Sequence, residues 1–263
     1  RSCLYYHLYA AQDSERIGES AEEIPRPYSI RWSSFAEEFR PGEILDVELT
    51  LVGRSIGLTP LVAAAFGIAG SKGFGLERYA FRLTRVRLRG AEDRQSSLLN
   101  GKMLVSDVPR GFSPYLLEPL PSNAVDVEET VALKFITPVQ LQKRMGVDYL
   151  LRGSDLLRKT ILRISALDSA WSDGKWANSI RGKLSDAIER CQITENKTAW
   201  KHVDRYSMTQ GRRLPLFGRE GHITLAGVPA SLLPLMHSLE HLHLGRHAVN
   251  GLGAIRVSQS GLK

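Results

Sequence analysis

The sequence predicts an α+β protein made of two related domains, each a sheet covered by helices. Segments in which apolar and polar residues alternate, the period of a half-buried strand, are separated by helical segments along the chain. The order strand, helix, glycine loop, strand occurs twice, in residues 44–89 and in residues 222–257. Because the copies lie about half the chain apart, two related domains explain them better than a solenoid of short repeats.

The first copy begins with a strand and continues into a short helix. Residues 44–52 carry apolar side chains at every second position, which predicts a half-buried strand. Residues 60–66 begin with proline, which the first helical turn accepts, and continue with good helix formers. Glycines at positions 70, 73 and 75 are expected to break this helix, and a second strand is expected over residues 79–89.

The second half of the chain opens with a strand and an amphipathic helix. Residues 131–135 alternate, and Pro138 is expected to end that strand. Ser154 is expected to cap the helix that follows. The apolar face of this helix is formed by Leu156, Leu157, Thr160, Ile161, Ile164 and Leu167. Its outer, basic face is expected to carry Arg158, Lys159 and Arg163.

The remaining elements complete the arrangement of the second half. Residues 171–199 are expected to be mostly a helical connection, and residues 222–225 a strand. A helix over residues 229–244, a glycine loop over 245–253 and a strand over 254–257 are expected to follow. An order of strand, helix, strand, strand, helix, strand is the ferredoxin-like arrangement, and the second half fits it fully.

The first half supplies the later strands and one helix of this arrangement, but no convincing first strand and helix. We therefore expect the first ferredoxin-like domain to be incomplete at its N-terminus, with the chain beginning inside a longer protein. Prolines between positions 109 and 121 indicate a connector. The boundary is placed near residue 125, giving a first domain with its connector over residues 1–125 and a second domain over residues 126–263.

Charge and composition restrict the class of partner. The net charge is +7 and the pI is about 9.5, which favours a polyanionic partner but does not demand one. Cys3 and Cys191 are far apart and match neither a disulfide framework nor a zinc motif, so a cytoplasmic setting is expected. No apolar run of roughly 18 residues is present, and we therefore expect no membrane partner.

Residues 245–253 form the first candidate binding element. Gly245, Gly251 and Gly253 would let backbone amides approach a phosphate chain, and Arg246 and His247 add charge and donors. The alternative is a turn whose glycines serve only the tight geometry between helix and strand. A Rossmann site is less consistent, because its glycines follow a strand and open a helix.

Two basic segments are the second class of candidate. Residues 200–213 mix an aromatic ring with the cations Lys201, Arg205, Arg212 and Arg213, a mixture that suits phosphates and unpaired bases. The alternative is a solvated hairpin with charged edges. In the first domain, Arg78 and Arg82 are candidate RNA contacts and begin a run that continues through Arg85, Arg87 and Arg89. Strand alternation would divide this run between two faces.

Four histidines lie close together in the sequence, at positions 237, 241, 243 and 247. His237 and His241 are one helical turn apart, but the glutamate of an HExxH zinc motif is absent. Hydrogen bonding on a helix flank is the preferred interpretation, and no metal or cofactor is expected. His247, within the glycine loop, is a candidate general acid or base because an imidazole titrates near neutral pH.

Several segments together resemble the CRISPR-associated repeat-RNA processing endoribonucleases of the RAMP superfamily. These segments, in chain order, are residues 25–28, 51–54, 73–75, 133–138, 206–213, 221–227, 242–245 and 251–253. The resemblance implies tandem ferredoxin-like domains that bind the repeat of precursor CRISPR RNA and cut it once without metal. The 2′-hydroxyl would attack the adjacent phosphate, leaving 2′,3′-cyclic phosphate and 5′-hydroxyl ends. Other CRISPR effector or adaptation proteins are possible further partners.

The same resemblance places the general base, when it is a histidine, near the first helix of the first domain, upstream of Arg1. Within this chain, His247 and Tyr206 are the catalytic candidates, chosen on their chemistry and their proximity to the expected RNA. Two alternatives stay open: a non-catalytic RNA-binding module of a larger CRISPR assembly or fusion protein, and a nucleotide-binding enzyme that uses the glycine loop.

Overall fold

The computed structural model describes residues 8, 25–32, 39–75, 77–90, 95–97, 99–100, 103–104, 108, 112–120, 127–141, 152–180, 185–207 and 211–259. The chain forms two compact units. The N-terminal unit comprises Arg1–Glu23 and Leu51–Leu116, and the C-terminal unit comprises Ile24–Thr50 and Leu117–Lys263. Residues 24–50 thus pack with the C-terminal unit, although they come from the first half of the sequence. The expected domain boundary near residue 125 stays a prediction.

The described elements are these, in chain order. The strands are β1 (Tyr28–Trp32), β2 (Val47–Leu51), β3 (Arg87–Arg89), β4 (Gln95–Ser97), β5 (Leu99–Asn100), β6 (Met103–Leu104), β7 (Glu128–Val139), β8 (Gln192–Ser207), β9 (Arg212–Pro229) and β10 (Ile255–Gln259). The α-helices are α1 (Thr59–Lys72), α2 (Gly153–Trp171), α3 (Lys175–Ile180), α4 (Ser185–Arg190) and α5 (Leu233–Leu242).

The C-terminal unit is built on a four-stranded sheet. Its strands lie in the order β10, β7, β9, β8, and each neighbouring pair is antiparallel. Helix α2 follows β7, and α5 lies between β9 and β10. This order and connection are those of the ferredoxin-like arrangement that the sequence predicts. Strands β1 and β2 form a separate pair.

The core of this unit lies between the sheet and helices α2 and α5. Alternate residues of β7 and β9 point into it because side chains of a strand alternate between its faces. The helices contribute residues spaced three and four apart, as an amphipathic helix requires. The largest fully buried side chains are Phe135, Leu133, Leu156, Leu157, Leu167, Ile223, Leu225, Leu232, Leu235, Met236 and Leu239.

Helix α2 differs from the sequence prediction at two positions. Ser154 is not the N-cap: Arg152 occupies that position without a side-chain cap bond, and Ser154 is buried in the first turn. Arg163 does not point outward. Its guanidinium donates from Nε to the carbonyl oxygen of His243 at 2.9 Å and from Nη2 to that of Leu242 at 2.8 Å.

The strands of the sheet are longer than predicted. Strand β7 continues past Pro138 to Val139, and a register shift between Phe135 and Val139 accommodates the proline, which has no backbone N–H. Helices α3 and α4 account for part of the connection expected over residues 171–199. Strand β8 begins at Gln192, so the end of that segment belongs to the sheet.

The N-terminal unit contains α1 and short strand pairs. Helix α1 extends to Lys72, beyond the predicted end, so Gly70 lies inside the helix and does not break it. Glycine is required at this position because a Cβ would come within 2.4 Å of the Phe81 carbonyl oxygen. Gly73, with φ of 82°, ends the helix as predicted. The strand expected over residues 79–89 is largely wrong: only β3, at its end, is a strand, and Tyr79 forms an isolated bridge with Phe74.

Within the described residues, one continuous helix is long and apolar enough to cross a membrane by length and composition. This helix, Gly53–Lys72, has 20 residues and a mean hydropathy of 1.2. It starts as a 3-10 helix at Gly53 and becomes α1 at Thr59. Val62 and Ala63 on α1 are buried within the protein, so one side of the helix packs like a core helix.

Candidate nucleic-acid interface

The glycine loop, residues 245–253, joins α5 to β10 together with its flanking residues 243, 244 and 254, and the backbone donors of this connection are largely used inside the protein. Arg246 N–H donates to the Gln140 carbonyl oxygen at 2.8 Å, and Gly253 N–H donates to that of Pro138 at 3.0 Å. Further donors within the loop bond to acceptors of the loop itself or to Thr137; they belong to Asn250, Gly251, Leu252 and Ala254. These amides fasten the loop to the end of β7.

The three predicted glycines of this loop are packed against neighbouring groups. A Cβ would lie 2.5 Å from the Gln140 carbonyl oxygen at Gly245 and 2.0 Å from the Leu244 carbonyl oxygen at Gly253. At Gly251 it would lie 3.1 Å from Cδ1 of Trp32. All three have positive φ, which favours glycine. Tight geometry therefore accounts for the glycines, and a contact of this loop with RNA depends on its Arg246 and His247 side chains.

His247 is half-buried at the turn of the loop, with φ of 65°. Burial lowers the pKa of its imidazole below 6.5, and the positive charges of Arg246 and Arg205 lower that pKa further. The Nδ1 atom lies 3.4 Å from Nδ2 of Asn250. The lowered pKa favours the neutral imidazole, the form that a general base requires.

Strands β8 and β9 form a hairpin that extends beyond the rest of the sheet. The pairing of β9 with β7 ends at Arg219, whereas β8 and β9 remain paired as far as Ser207 and Arg212. Seven residue pairs, from Lys201 with Gly218 to Ser207 with Arg212, thus form a two-stranded ribbon about 24 Å long. The predicted contacts Lys201, Arg205, Arg212 and Arg213 all lie exposed on this ribbon.

The charges of the ribbon are only partly compensated. Asp204 lies 3.3 Å from Nε2 of His202 and 4.0 Å from Nη1 of Arg213. In the part of the chain that the structure describes, no acidic side chain forms an ion pair with Lys201, Arg205 or Arg246. The positive charges of Arg205 on the hairpin and Arg246 on the glycine loop both act on the pKa of the His247 imidazole, so these three predicted residues influence one another electrostatically.

Tyr206, the second catalytic candidate, is described only through its backbone. It lies near the end of β8 and pairs with Arg213. Its side chain lies outside the described part of the structure, as do residues 208–210 of the hairpin turn. Its role stays a prediction.

The N-terminal unit carries an arginine ridge, formed by Arg78, Arg82, Arg85, Arg87 and Arg89. All five are exposed. The sequence predicted that strand alternation would divide these arginines between two faces, and this is wrong because residues 80–86 form no strand. The alternation of exposed and less exposed residues is interrupted at Thr84 and Arg85, which are consecutive and both exposed. This interruption brings Arg85, Arg87 and Arg89 to the exposed side together with Arg82.

The other histidines form separate contacts. Nδ1 of His237 lies 3.4 Å from Glu240, and Nδ1 of His241 lies 3.5 Å from Glu48. Buried His243 has its Nδ1 atom 3.0 Å from the Leu252 carbonyl oxygen. Among the described residues, no group of three or more His, Cys, Asp or Glu side chains could hold a metal ion.

Sequence reasoning missed a partly buried polar network at the carboxyl end of α5. Glu48 bonds to His241 and Arg31, and these partners lower its pKa to about 2 against the opposing effect of burial. Arg163 closes the carboxyl end of α5, and burial lowers its pKa to about 10, so it stays charged at pH 7. A signal was present: Arg163 follows Leu156 and Thr160 at helical spacing, on the stripe that reaches the core.

Comparison with known proteins gives matches at the level of domains and folds. No protein of curated function matches the sequence. A family of N-terminal domains, AF_1859_N, matches residues 1–110.

Solved structures of Cas6 have a similar fold. A Cas6 (TTHB231) product complex is 16% identical, with a TM-score of 0.56 over 90% of this chain and 84% of that chain. A second structure of TTHB231, Thermus thermophilus Cas6, is 16% identical and covers 88% of this chain and 79% of that chain, with a TM-score of 0.49. A Cas6 (TTHA0078) product complex is 16% identical and covers 91% of this chain and 85% of that chain, also with a TM-score of 0.49.

The first of these similarities establishes the fold. The chain has the α+β fold of Cas6, with tandem ferredoxin-like domains, as its sequence predicts. The four-stranded sheet of the C-terminal unit shows the same arrangement directly, through its strand order and antiparallel pairing.

Proposed function

We propose that this protein binds the repeat of precursor CRISPR RNA and cleaves it once, without a metal ion. The observation that carries the proposal is a pair of arginines, Arg205 and Arg246, which have no acidic ion-pair partner among the described residues and whose charges act on the His247 imidazole, on a Cas6 fold. Guanidinium and ammonium groups bind phosphates, and a neutral imidazole can accept a proton. The similarity of fold to a Cas6 product complex supports RNA as the polyanion.

The chemistry proposed is an internal transesterification. The 2′-oxygen attacks the adjacent phosphorus while a base takes the 2′-hydroxyl proton. The bond from phosphorus to the 5′-oxygen breaks, and an acid protonates that oxygen. The products are a 2′,3′-cyclic phosphate and a 5′-hydroxyl. Cations near the phosphate stabilise the charge that develops on its oxygens.

The contact surface proposed consists of exposed side chains. On the hairpin it comprises Lys201, Arg205, Arg212 and Arg213, and on the glycine loop it comprises Arg246 beside His247. Gly245, Gly251 and Gly253 shape the loop that presents them. The arginine ridge, including Arg78 and Arg82, provides further phosphate contacts on the N-terminal unit.

The test is incubation of the protein with end-labelled repeat RNA from the genome that encodes it, in EDTA. We expect a single cut and a 2′,3′-cyclic phosphate end, detected by mass spectrometry. A repeat with one 2′-deoxynucleotide at the cut site should bind equally well and stay intact. Absence of RNA binding would contradict the proposal. Tight binding without cleavage would instead favour a non-catalytic module of a larger CRISPR assembly.

We further propose that His247 takes part in catalysis. His247→Ala should reduce the single-turnover cleavage rate by about 100-fold or more, the usual contribution of a general acid or base, while affinity for RNA changes little. His247→Gln keeps polarity without a titrating group and should be equally slow. Cleavage at the wild-type rate by both variants would place the catalytic group elsewhere. Tyr206 would then be the next candidate, and the cleavage rate of Tyr206→Phe would test it.

A further inference from the structure

The C-terminal unit carries an exposed aromatic cluster, the tryptophan platform, formed by Trp200, Phe217 and Arg219. The Arg219 guanidinium lies over the indole ring of Trp200, 5.1 Å from the ring centroid. Phe217 meets the same ring edge-on, with centroids 6.4 Å apart. Trp200 and Arg219 are directly paired across β8 and β9, so both side chains lie on one face. Two neighbours therefore fix the orientation of the indole.

The indole is held in place but left open to solvent. Trp200 is 50% exposed, whereas Trp171 and Trp176 are buried. An exposed indole forgoes the stabilisation that its burial would give, and a cation on one side of the ring already orders it. Arg219 is also anchored, since its Nη1 lies 3.3 Å from Oγ1 of Thr198. An ordered and accessible aromatic ring is what stacking on a ligand requires.

The platform lies at the same end of the sheet as the glycine loop. Arg219 pairs with Val139, the last residue of β7, and the next residue, Gln140, accepts the hydrogen bond from Arg246 N–H. Trp200 stands two strands away from β7, a distance of about 10 Å. A short stretch of RNA at the loop therefore reaches the platform.

The direction of the side chains restricts the form of the RNA. Trp200 and Arg205 are an odd number of residues apart on β8, so they lie on opposite faces of the ribbon. Within the described sheet, β8 is an edge strand, paired only with β9. Because both side chains belong to β8, the shortest path for RNA that contacts both of them crosses this edge. A single strand can turn there, and its unstacked bases are free to stack on an indole, whereas a duplex keeps its bases inside.

We propose that Trp200 stacks on an unpaired nucleobase of the bound RNA, where the strand crosses the edge of β8. This assignment depends on the proposed function, because it takes RNA as the ligand. Phe217 and Arg219 act as positioning residues that hold the indole, and the arginine adds positive charge beside the stacked nucleotide. Stacking of this kind does not depend on base identity, since every base has an aromatic face.

Binding and fluorescence test the assignment together. Trp200→Ala should weaken binding of the repeat RNA on the order of tenfold, whereas Trp200→Phe, which keeps a ring, should lose less. RNA should quench the tryptophan emission of the wild-type protein, and Trp200→Phe should abolish most of that quenching. Leu162→Ala is the control, because Leu162 is apolar, is 61% exposed and lies on helix α2, outside the proposed contact surface.

A scan with abasic nucleotides identifies the stacked base. One unpaired position should exist at which removing the base weakens binding by the wild-type protein but has no further effect on Trp200→Ala. Two results would overturn the stacking assignment and leave the proposed function intact. The wild-type protein could bind the RNA without any change in its tryptophan emission, or Trp200→Ala could bind the RNA with the affinity of the wild type. A wild-type protein that binds no RNA would overturn both.

Discussion

At the scale of single residues, His243 shows how one buried side chain closes the glycine loop. It follows α5 with φ of 60°, and its ring contacts the Leu252 carbonyl oxygen nine residues later. Burial is the largest cause that lowers its pKa, to about 4, and nearby Arg163 and Arg31 act in the same direction. The neutral ring is therefore part of the folded structure.

The pH dependence of stability follows from this pKa. The unfolded histidine has a pKa of about 6.5, so between pH 6.5 and 4 the unfolded chain binds more protons than the folded chain. The free energy of unfolding should fall as pH falls through this window, by roughly 3 kcal/mol in total. Urea unfolding at several pH values, with His243→Gln as the comparison, measures it.

The His243→Gln variant should show a shallower slope than the wild type over that window. The slope should not vanish, because the lowered pKa of His247 contributes in the same direction. Glu48, with a pKa of about 2 against 4.5 when unfolded, loses its contribution mainly below pH 4.5. Equal slopes in the two proteins would show that the His243 ring does not resist protonation.

At the scale of elements, the glycine loop is a packed junction between α5, β7 and β10. Gly253 has its carbonyl oxygen bonded to Leu244 N–H at 2.7 Å and its own N–H bonded to Pro138. A side chain at this position would disturb both bonds. An RNA-binding defect in a Gly253 variant would therefore reflect a damaged fold before any lost phosphate contact.

Gly253→Ala and Gly211→Ala form a matched pair that isolates this packing. Both glycines have positive φ, 76° and 61°, but the Cβ at Gly211 would meet no atom within 4 Å. Gly211→Ala should lower the unfolding free energy by about 1–2 kcal/mol, the cost of a left-handed residue with a side chain. Gly253→Ala should cost about 1–3 kcal/mol more, measured as the urea midpoint at constant m-value.

Equal destabilisation of the two variants would contradict the close approach of the Leu244 carbonyl oxygen to Gly253. In that case, left-handed geometry alone would explain the glycine, as in an ordinary turn.

At the scale of the whole molecule, two groups of exposed basic residues are candidates for contact with a polyanion. The hairpin and the glycine loop hold one group, and the arginine ridge of the N-terminal unit holds another. On helix α3, by contrast, exposed Lys175 is paired with Asp173, whose carboxylate lies 2.7 Å from its ammonium group. If these groups bind RNA as proposed, their concentrated positive charge will make the affinity for RNA dependent on salt.

Salt dependence separates phosphate contacts from solvated charge. Replacing Arg82 and Arg85 together by glutamine should reduce the slope of log affinity against log salt by about 1.4 if both contact a single strand. Lys175→Gln is the control, because this lysine is already paired, and it should leave the slope unchanged. An unchanged slope and affinity in the double variant would exclude the ridge from the RNA contact surface.

The sequence by itself determined the class of fold and most elements of the C-terminal unit. The period of two in β7 and β9 and the period near four in α2 are local properties, set by which residues can be buried together. The glycine loop was located from its composition alone. The basic residues of the hairpin were identified by charge, since a cluster of Lys and Arg is visible in any sequence.

Only the tertiary structure decided what these residues contact. The inward position of Arg163, the use of the loop amides by β7, and the packing of residues 24–50 with the C-terminal unit depend on partners distant in the chain. The same holds for Trp200, whose strand β8 begins inside residues 171–199, a segment predicted to be a helical connection. Local periodicity cannot specify such contacts, because burial and pairing are settled by the whole fold. The glycine loop is therefore a structural junction that presents two side chains.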